Sequence, residues 1–353
     1  MRQPIQVIQV IRLFSAIIVL LSHFFPADEY ALPGGMIFVG RTGVAFFFII
    51  SGFLLVYTDR NVRKHYFLKR LIRLAPLYWA TTLLVFCIGI VSPDLLHTSS
   101  ASVINLLKSV CFIPFYTNDD VLPLYPIGWT LTVEVFVYMV YFIPILILQR
   151  PKMSEKFKGN ERIFNASVAS AILVCIVILK LLVPRNLFTD TYGRYYMLYF
   201  VEGLLFGILW DKSGAVMEGV REKLKTKLKS AGWIISLMIG TVLILFSEIY
   251  VENLVGILLM GISFALLVIF LGSCTFPSIL VIFGNMTYSF YLLHYFVVKA
   301  FLRLLTTDNA VTNVPLAIVE CVVCCAVTMG LSALSYYLVE QKLTKWLKQI
   351  CKI

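Results

Sequence analysis

The sequence predicts an all-α protein of the polytopic membrane class, a bundle of about ten spanning helices with both termini on the cytoplasmic side. Three observations predict it. The 353 residues are 60% hydrophobic and only 14% charged, against roughly 25% charged in soluble domains. Apolar runs recur along the whole chain, each near the ~20 residues that a helix needs to cross a bilayer core. These runs are continuous, as in ISFALLVIFLG at 262–272, and so lack the alternation of the ~10-residue strands of a membrane barrel.

The predicted spans are 7–26, 36–57, 75–93, 124–149, 163–183, 194–211, 231–247, 253–271, 278–302 and 314–339. The first run holds Arg12 and His23 and has no small-residue cleavage site, so it is expected to persist as a helix rather than leave as a signal peptide. The connections after the second, fourth and sixth spans, together with the tail at 340–353, are rich in Lys and Arg. All four fall on one side of a ten-span chain, which the positive-inside bias makes cytoplasmic. The formal charge of +11 is therefore read as topology. Most basic residues sit in a few connections, which give no folded basic surface for nucleic acid.

Within the 58–74 connection, Lys69, Arg70 and Arg73 share one helical face and Phe67, Leu71 and Leu74 another, the pattern of an amphipathic interfacial helix. The 93–128 connection is the longest on the opposite side. Its stretch VINLLKSVCFI predicts a short interfacial or re-entrant helix. No internal repeat or fused soluble segment is evident, so residues 1–353 read as one integral-membrane domain. The eight cysteines lie mostly in apolar stretches, where cysteine behaves as a small hydrophobe. Cys321 and Cys324 have CxxC spacing, but no second pair or nearby His completes a metal site.

An ionisable side chain inside a span costs roughly 2.5 to 3.5 kcal/mol on insertion scales, so each needs a partner, water or a function. Arg12, His23, Arg41, Glu134, Glu202, His294 and Glu320 are such residues. Arg12 and His23 lie three turns plus about 20° apart, on one helical face and roughly 16 Å apart along the axis. A guanidinium fork suits phosphate or carboxylate, and an imidazole exchanges protons near neutral pH. Snorkelling of Arg12 and an interfacial role for His23 are the structural alternative. Thr130, Glu134, Tyr138 and Tyr141 form a polar stripe on one face, with Trp129 at its outer end. Glu134 is read either as an ion-pair partner of Arg41 or Arg12, or as a catalytic or orienting group. Thr287, Tyr291 and His294 share a further face, a buried network being the alternative. Glu202 is expected to pair with a basic residue.

Five motifs follow one another in order. They are Arg12 and His23 with ten residues between them, the run Gly40, Gly43, Ser51, Gly52, Phe53, then Arg70-Leu-Ile-Arg73 before Pro76, Trp129 to Tyr138 around Glu134, and Tyr288 to His294. Together they resemble the acyltransferase-3 family of integral-membrane acyltransferases, from the first span through the last. The resemblance implies a ten-helix domain that passes an acyl group, usually acetyl from acetyl-CoA, to a hydroxyl of an extracytoplasmic glycan such as O-antigen, exopolysaccharide or capsule. It places the protein in the bacterial inner (plasma) membrane, with acyl-CoA and a surface glycan or lipid-linked sugar as partners and no metal.

By motif position the resemblance makes Arg12 and His23 the essential pair. Arg70 and Arg73, with Lys69 and Arg12, would hold the donor, and His23 would act as general base or transient acyl carrier. Glu134 would orient His23 or Arg41. Arg41, Ser51, Trp129, Tyr138, Tyr291 and His294 would bind substrate or support the site. The sequence departs from the family pattern at Ala45, where relatives often carry an acid, at Thr130 and Thr132, where they carry serines, and at Gln341-Lys342 after Glu340. The esterase-like domain fused to some relatives is not seen. A glycan or small-molecule transporter using the same buried polar residues is the rival reading, against which stands the lack of paired, broken spans in two halves.

Overall fold

The computed structural model describes residues 3–25, 35–59, 65–92, 101–117, 120–228, 254–272, 276–305 and 314–352. In chain order the helices are α1 Gln3–Phe24, α2 Gly35–Thr58, α3 Tyr66–Val91, α4 Val103–Val110, α5 Trp129–Ile147, α6 Pro151–Lys156 and α7 Glu161–Leu182. They continue as α8 Leu187–Tyr192, α9 Tyr196–Leu228, α10 Leu254–Leu271, α11 Ser278–Asn285, α12 Thr287–Leu305, α13 Val314–Ser335 and α14 Thr344–Ile350. A π-helical segment, Tyr336–Leu343, joins α13 to α14. The described residues include no named strand, so the all-α expectation holds.

Six of these helical stretches are long and apolar enough to cross a membrane, or seven if α11 and α12 are one broken span. The predicted span at 231–247 lies outside the described residues. The predicted ninth span differs from expectation, for α11 and α12 meet at 70°. The Thr287 hydroxyl donates to the Gly284 carbonyl at 2.9 Å, a side-chain substitution for the helical ladder that marks such a kink. Large apolar side chains face outward along the spans, including Leu83, Ile90, Leu181 and Val322. An apolar exterior of this extent belongs in lipid.

Residues 66–74 also differ from expectation. They are the first turns of α3, which runs unbroken through Pro76 to Val91, rather than a separate interfacial helix. The polar turns and the apolar run share one helical period, and the helix continues although Pro76 removes one N–H from its ladder. The helix expected in the 93–128 connection is α4. The Ser102 side chain caps it by accepting from the Asn105 N–H, and Val103, Ile104 and Leu107 are exposed. Trp79 Nε1 donates to the Val110 carbonyl at 2.9 Å and ties α4 to α3. The tail expected at 340–353 is helical through Ile350.

The chain forms two compact units, residues 1–54 with 202–334 and residues 55–201 with 335–353. In the first, α1 packs against α10, α11 and α12. Its core joins Ala16, Leu20 and Phe24 to Phe290, Val297, Val298, Ala317 and Cys321. Close backbone approach makes this possible. A Cβ on Gly43 would stand 2.6 Å from the Ser15 carbonyl oxygen, and one on Gly284 would stand 2.2 Å from that of Gln9. In the second unit α5 packs on α3 and α7, α7 packs on α8, and α14 returns onto α3.

Candidate active site

The site residues expected from sequence are divided between the two units. In the first unit, α1 carries Arg12 and His23, both half-buried, and α2 carries Arg41 and Ser51. The His23 ring lies 5.4 Å from that of His294 on α12, centroid to centroid, and 5.6 Å from the Tyr295 ring, which it meets edge to face. His294 is fully buried. Its Nδ1 is 2.6 Å from the Tyr291 carbonyl oxygen. A carbonyl only accepts, so Nδ1 bears the proton, and in the neutral ring Nε2 holds the lone pair. That Nε2 is buried and has no hydrogen-bond partner among the described residues. Two histidines that are separate candidates in the sequence are thus one dyad.

The Tyr291 ring packs edge-on against Phe47 of α2 at 5.8 Å and lies 5.6 Å from the His294 ring, centroid to centroid, so Tyr291 supports His294 with both its ring and its backbone. Glu202, for which a basic partner was expected, instead lies against Gly261, where a Cβ would come within 2.5 Å of its carboxylate. Its Oε2 accepts no hydrogen bond among the described residues.

The second unit gathers a different set. The Arg70 guanidinium stands 4.9 Å from the ring centroids of both Tyr66 and Tyr138 and its Nη2 donates to Thr58 Oγ1 at 2.9 Å. Stacking of a planar cation between aromatic faces is a geometry that arginine has and lysine lacks. The Tyr138 hydroxyl donates to Glu134, whose charge also attracts Arg70. Glu134 is therefore linked through Tyr138 to the basic residues of α3. Arg73 is exposed and Lys69 half-buried on the same turns.

Beneath this group lies a residue that the sequence does not mark. Asp59 is buried, and its Oδ2 accepts from the Tyr141 hydroxyl at 3.1 Å and from Asn165 Nδ2 at 2.9 Å. An aspartate ending an apolar helix beside Arg60 resembles an ordinary interfacial charge. The one available signal is Asn165, an amide within the apolar run of α7.

At the other end of α5, Trp129 meets Tyr196 with ring centroids 5.0 Å apart. Nearby, Arg194 grips Asp120 through both terminal nitrogens, and its Nε donates to the Asp190 carbonyl at 2.6 Å. Burial opposes ionisation of Asp120, but the hydrogen bond from Arg194, the Val121 N–H and the arginine charge outweigh it, holding the carboxyl below the usual carboxylate range. Neither Asp120 nor Arg194 stands out in the sequence. Asp120 is a charge in a polar connection, Arg194 stands at the edge of the predicted span 194–211, and only the fold pairs them.

A family model described as an acyltransferase domain matches residues 5–337. The chain belongs to the acyltransferase-3 family. It is also similar to the exopolysaccharide production protein ExoZ of Rhizobium meliloti (strain 1021), 26% identical over 272 residues that cover 74% of this chain and 77% of the relative. No solved structure matches. The protein is thus a multi-pass membrane acyltransferase.

Proposed function

We propose that this acyltransferase moves an acyl group, in the simplest case acetyl, from cytoplasmic acyl-CoA to a hydroxyl of an extracytoplasmic glycan, with ten spans and both termini inside. The observation that carries the reading is the His23–His294 dyad. An effective general base is held by a third group that fixes its orientation, and His294 is built for that task. Its proton is committed to the Tyr291 carbonyl, so Nε2 can accept only from a neighbouring donor, and the ring of His23 is the histidine beside it. The ring centroids are 5.4 Å apart, and the hydrogen bond from His23 to Nε2 is not formed in this structure. Such bonds often tighten only when substrate arrives.

In the proposed step, His23 accepts the proton of the sugar hydroxyl as its oxygen attacks the thioester carbonyl. The C–O bond forms, the C–S bond breaks, and the departing CoA sulfur takes the proton back from the imidazolium. A covalent acyl-histidine would divide the same transfer into two steps. Arg12, roughly 16 Å from His23 along α1, and Arg70, Arg73 and Lys69 on α3 are the cations suited to the phosphates of the donor. The stacked, fork-shaped Arg70 is the best formed of these. Glu134 and Tyr138 hold Arg70 in place, and Arg41 and Ser51 support the substrate.

Similarity to ExoZ, an exopolysaccharide production protein, favours an exopolysaccharide as the glycan. Purified protein in nanodiscs, given radiolabelled acetyl-CoA and a lipid-linked or polymeric glycan, should release CoA and label the glycan. A His23→Ala protein of unchanged thermal stability should do neither. Movement of glycan across the bilayer without label would establish the transporter reading in its place.

A further inference from the structure

We infer that the cleft beside Trp129 binds a single pyranose ring of the glycan; this rests on the proposed function. The cleft encloses a cavity of about 200 Å³, lined by Trp129, Tyr196, Asp120, Arg194, Thr132 and Thr191 among others. Drug-sized ligands occupy cavities of roughly 300 Å³ or more, so this one is scaled to something smaller and compact.

Beside Pro114, Val121, Leu122, Pro123 and Val133, its lining holds the aromatic and polar groups that a sugar ring would use. One wall is aromatic, with Trp129 and Tyr196 rings adjoining at 5.0 Å. The negative face of such rings attracts the slightly positive C–H face of a pyranose. The other wall is polar in both senses. Arginine has five N–H donors, and three of those on Arg194 are used, one by the Asp190 carbonyl and two by Asp120. Five less three leaves two without a partner among the described residues, one on each terminal nitrogen. Asp120 is an acceptor fixed in direction by Arg194 and by the Val121 N–H at 2.7 Å. The Thr191 hydroxyl donates to the Leu187 carbonyl at 2.6 Å, which leaves its oxygen able to accept. Vicinal sugar hydroxyls, each both donor and acceptor, meet a matching set.

The position fits the role. Trp129 starts α5, and Tyr138, which stacks on Arg70, lies nine residues on, roughly 13 Å along the helix axis. The sugar cleft and the donor cation thus occupy different depths of one spanning unit. A second cavity of about 310 Å³ shares Arg194 and is lined by Lys180, Arg185, Thr189 and Asp190. A glycan longer than one residue has a continuation there.

The test uses the full-length protein in nanodiscs and two probes, methyl β-D-glucopyranoside and methyl β-D-galactopyranoside, followed by saturation-transfer-difference NMR. At least one probe should show saturation of its ring C–H protons. Trp129→Ala should weaken that probe by about tenfold, the loss of roughly 1.4 kcal/mol, and Trp129→Phe, which keeps an aromatic face, should restore most of it. Arg194→Gln should raise the KM for glycan with little change in kcat. No saturation with either probe overturns the inference, as does an acceptor KM unchanged in Trp129→Ala and Arg194→Gln while acyl transfer proceeds. Sugar binding that is lost in Trp129→Ala, in a protein that transfers no acyl group, would keep the cleft and overturn the proposed function instead.

Discussion

His23 and His294 lie on different helices with ring centroids 5.4 Å apart, and the inner ring is anchored through Nδ1 to the backbone of Tyr291. A positioned base contributes about 10² to 10⁴ in rate, so His23→Ala should lose at least that much in kcat for acyl transfer. His294→Phe preserves volume but removes the acceptor nitrogen. It should lower kcat by roughly ten- to hundredfold, as orienting partners of other functional histidines do, with acetyl-CoA affinity unchanged. Equal kcat for His294→Phe and wild type would show that the dyad has no orienting role.

Arg70 is held by two aromatic faces and a hydroxyl, a set of contacts specific to a planar guanidinium. Arg70→Ala should weaken acetyl-CoA binding by about ten- to hundredfold, the scale of hydrogen bonds to charged groups. Arg70→Lys should recover little, because an ammonium neither stacks nor forks. Isothermal titration with acetyl-CoA, alongside the CoA-independent thermal midpoint, separates loss of donor binding from loss of fold.

Asp59 satisfies two buried donors, Tyr141 and Asn165. Asp59→Ala strands both, at a cost of about 1 to 3 kcal/mol for each group. The thermal midpoint in detergent should fall clearly, and Asp59→Asn, which keeps an oxygen acceptor, should fall less. A midpoint equal to wild type in Asp59→Ala would refute this structural role.

Gly43 and Gly284 bring neighbouring helices onto the backbone of α1, where an added Cβ would meet a carbonyl oxygen at 2.6 Å and 2.2 Å. Backbone cannot swing aside as a flexible side chain can. Gly284→Val should therefore abolish folded protein in the membrane fraction, and Gly43→Ala should lower its thermal midpoint. A methyl group added at Gly219 would meet only open space, so Gly219→Ala serves as the neutral control.

The folded carboxyl of Asp120 titrates below its ordinary value because of Arg194. A depressed carboxylate adds stability that is full above the unfolded pKa, about 3.9, and is lost as pH falls through the lower folded value. Thermal midpoints measured from pH 6 downward should decline in the acid limb for wild type, and Asp120→Asn should start lower and show a shallower decline.

Sequence by itself determined the class of the protein and most of its helices. A span is a local object, set by an apolar run of sufficient length, and its backbone bonds close within the run. The family also was legible, because its motifs are read in order along the chain. Sequence likewise marked His23, His294 and Glu134, since an ionisable group in an apolar run is conspicuous wherever it lies, and Arg70 through the basic face of its connection and its motif.

Only the tertiary structure decided which of these groups meet. His23 finds His294 because Gly284 lets α11 seat on Gln9, which carries α12 and its buried ring beside α1. Arg70 finds Tyr138 and Glu134 because α3 packs on α5. Asp59, Asp120 and Arg194 look like ordinary charges in or beside polar connections, and their partners lie on distant segments. The reason is common to all of them. Periodicity reports the face of one helix, whereas a partnership depends on how two faces pack, and packing is set by shape complementarity over the whole contact.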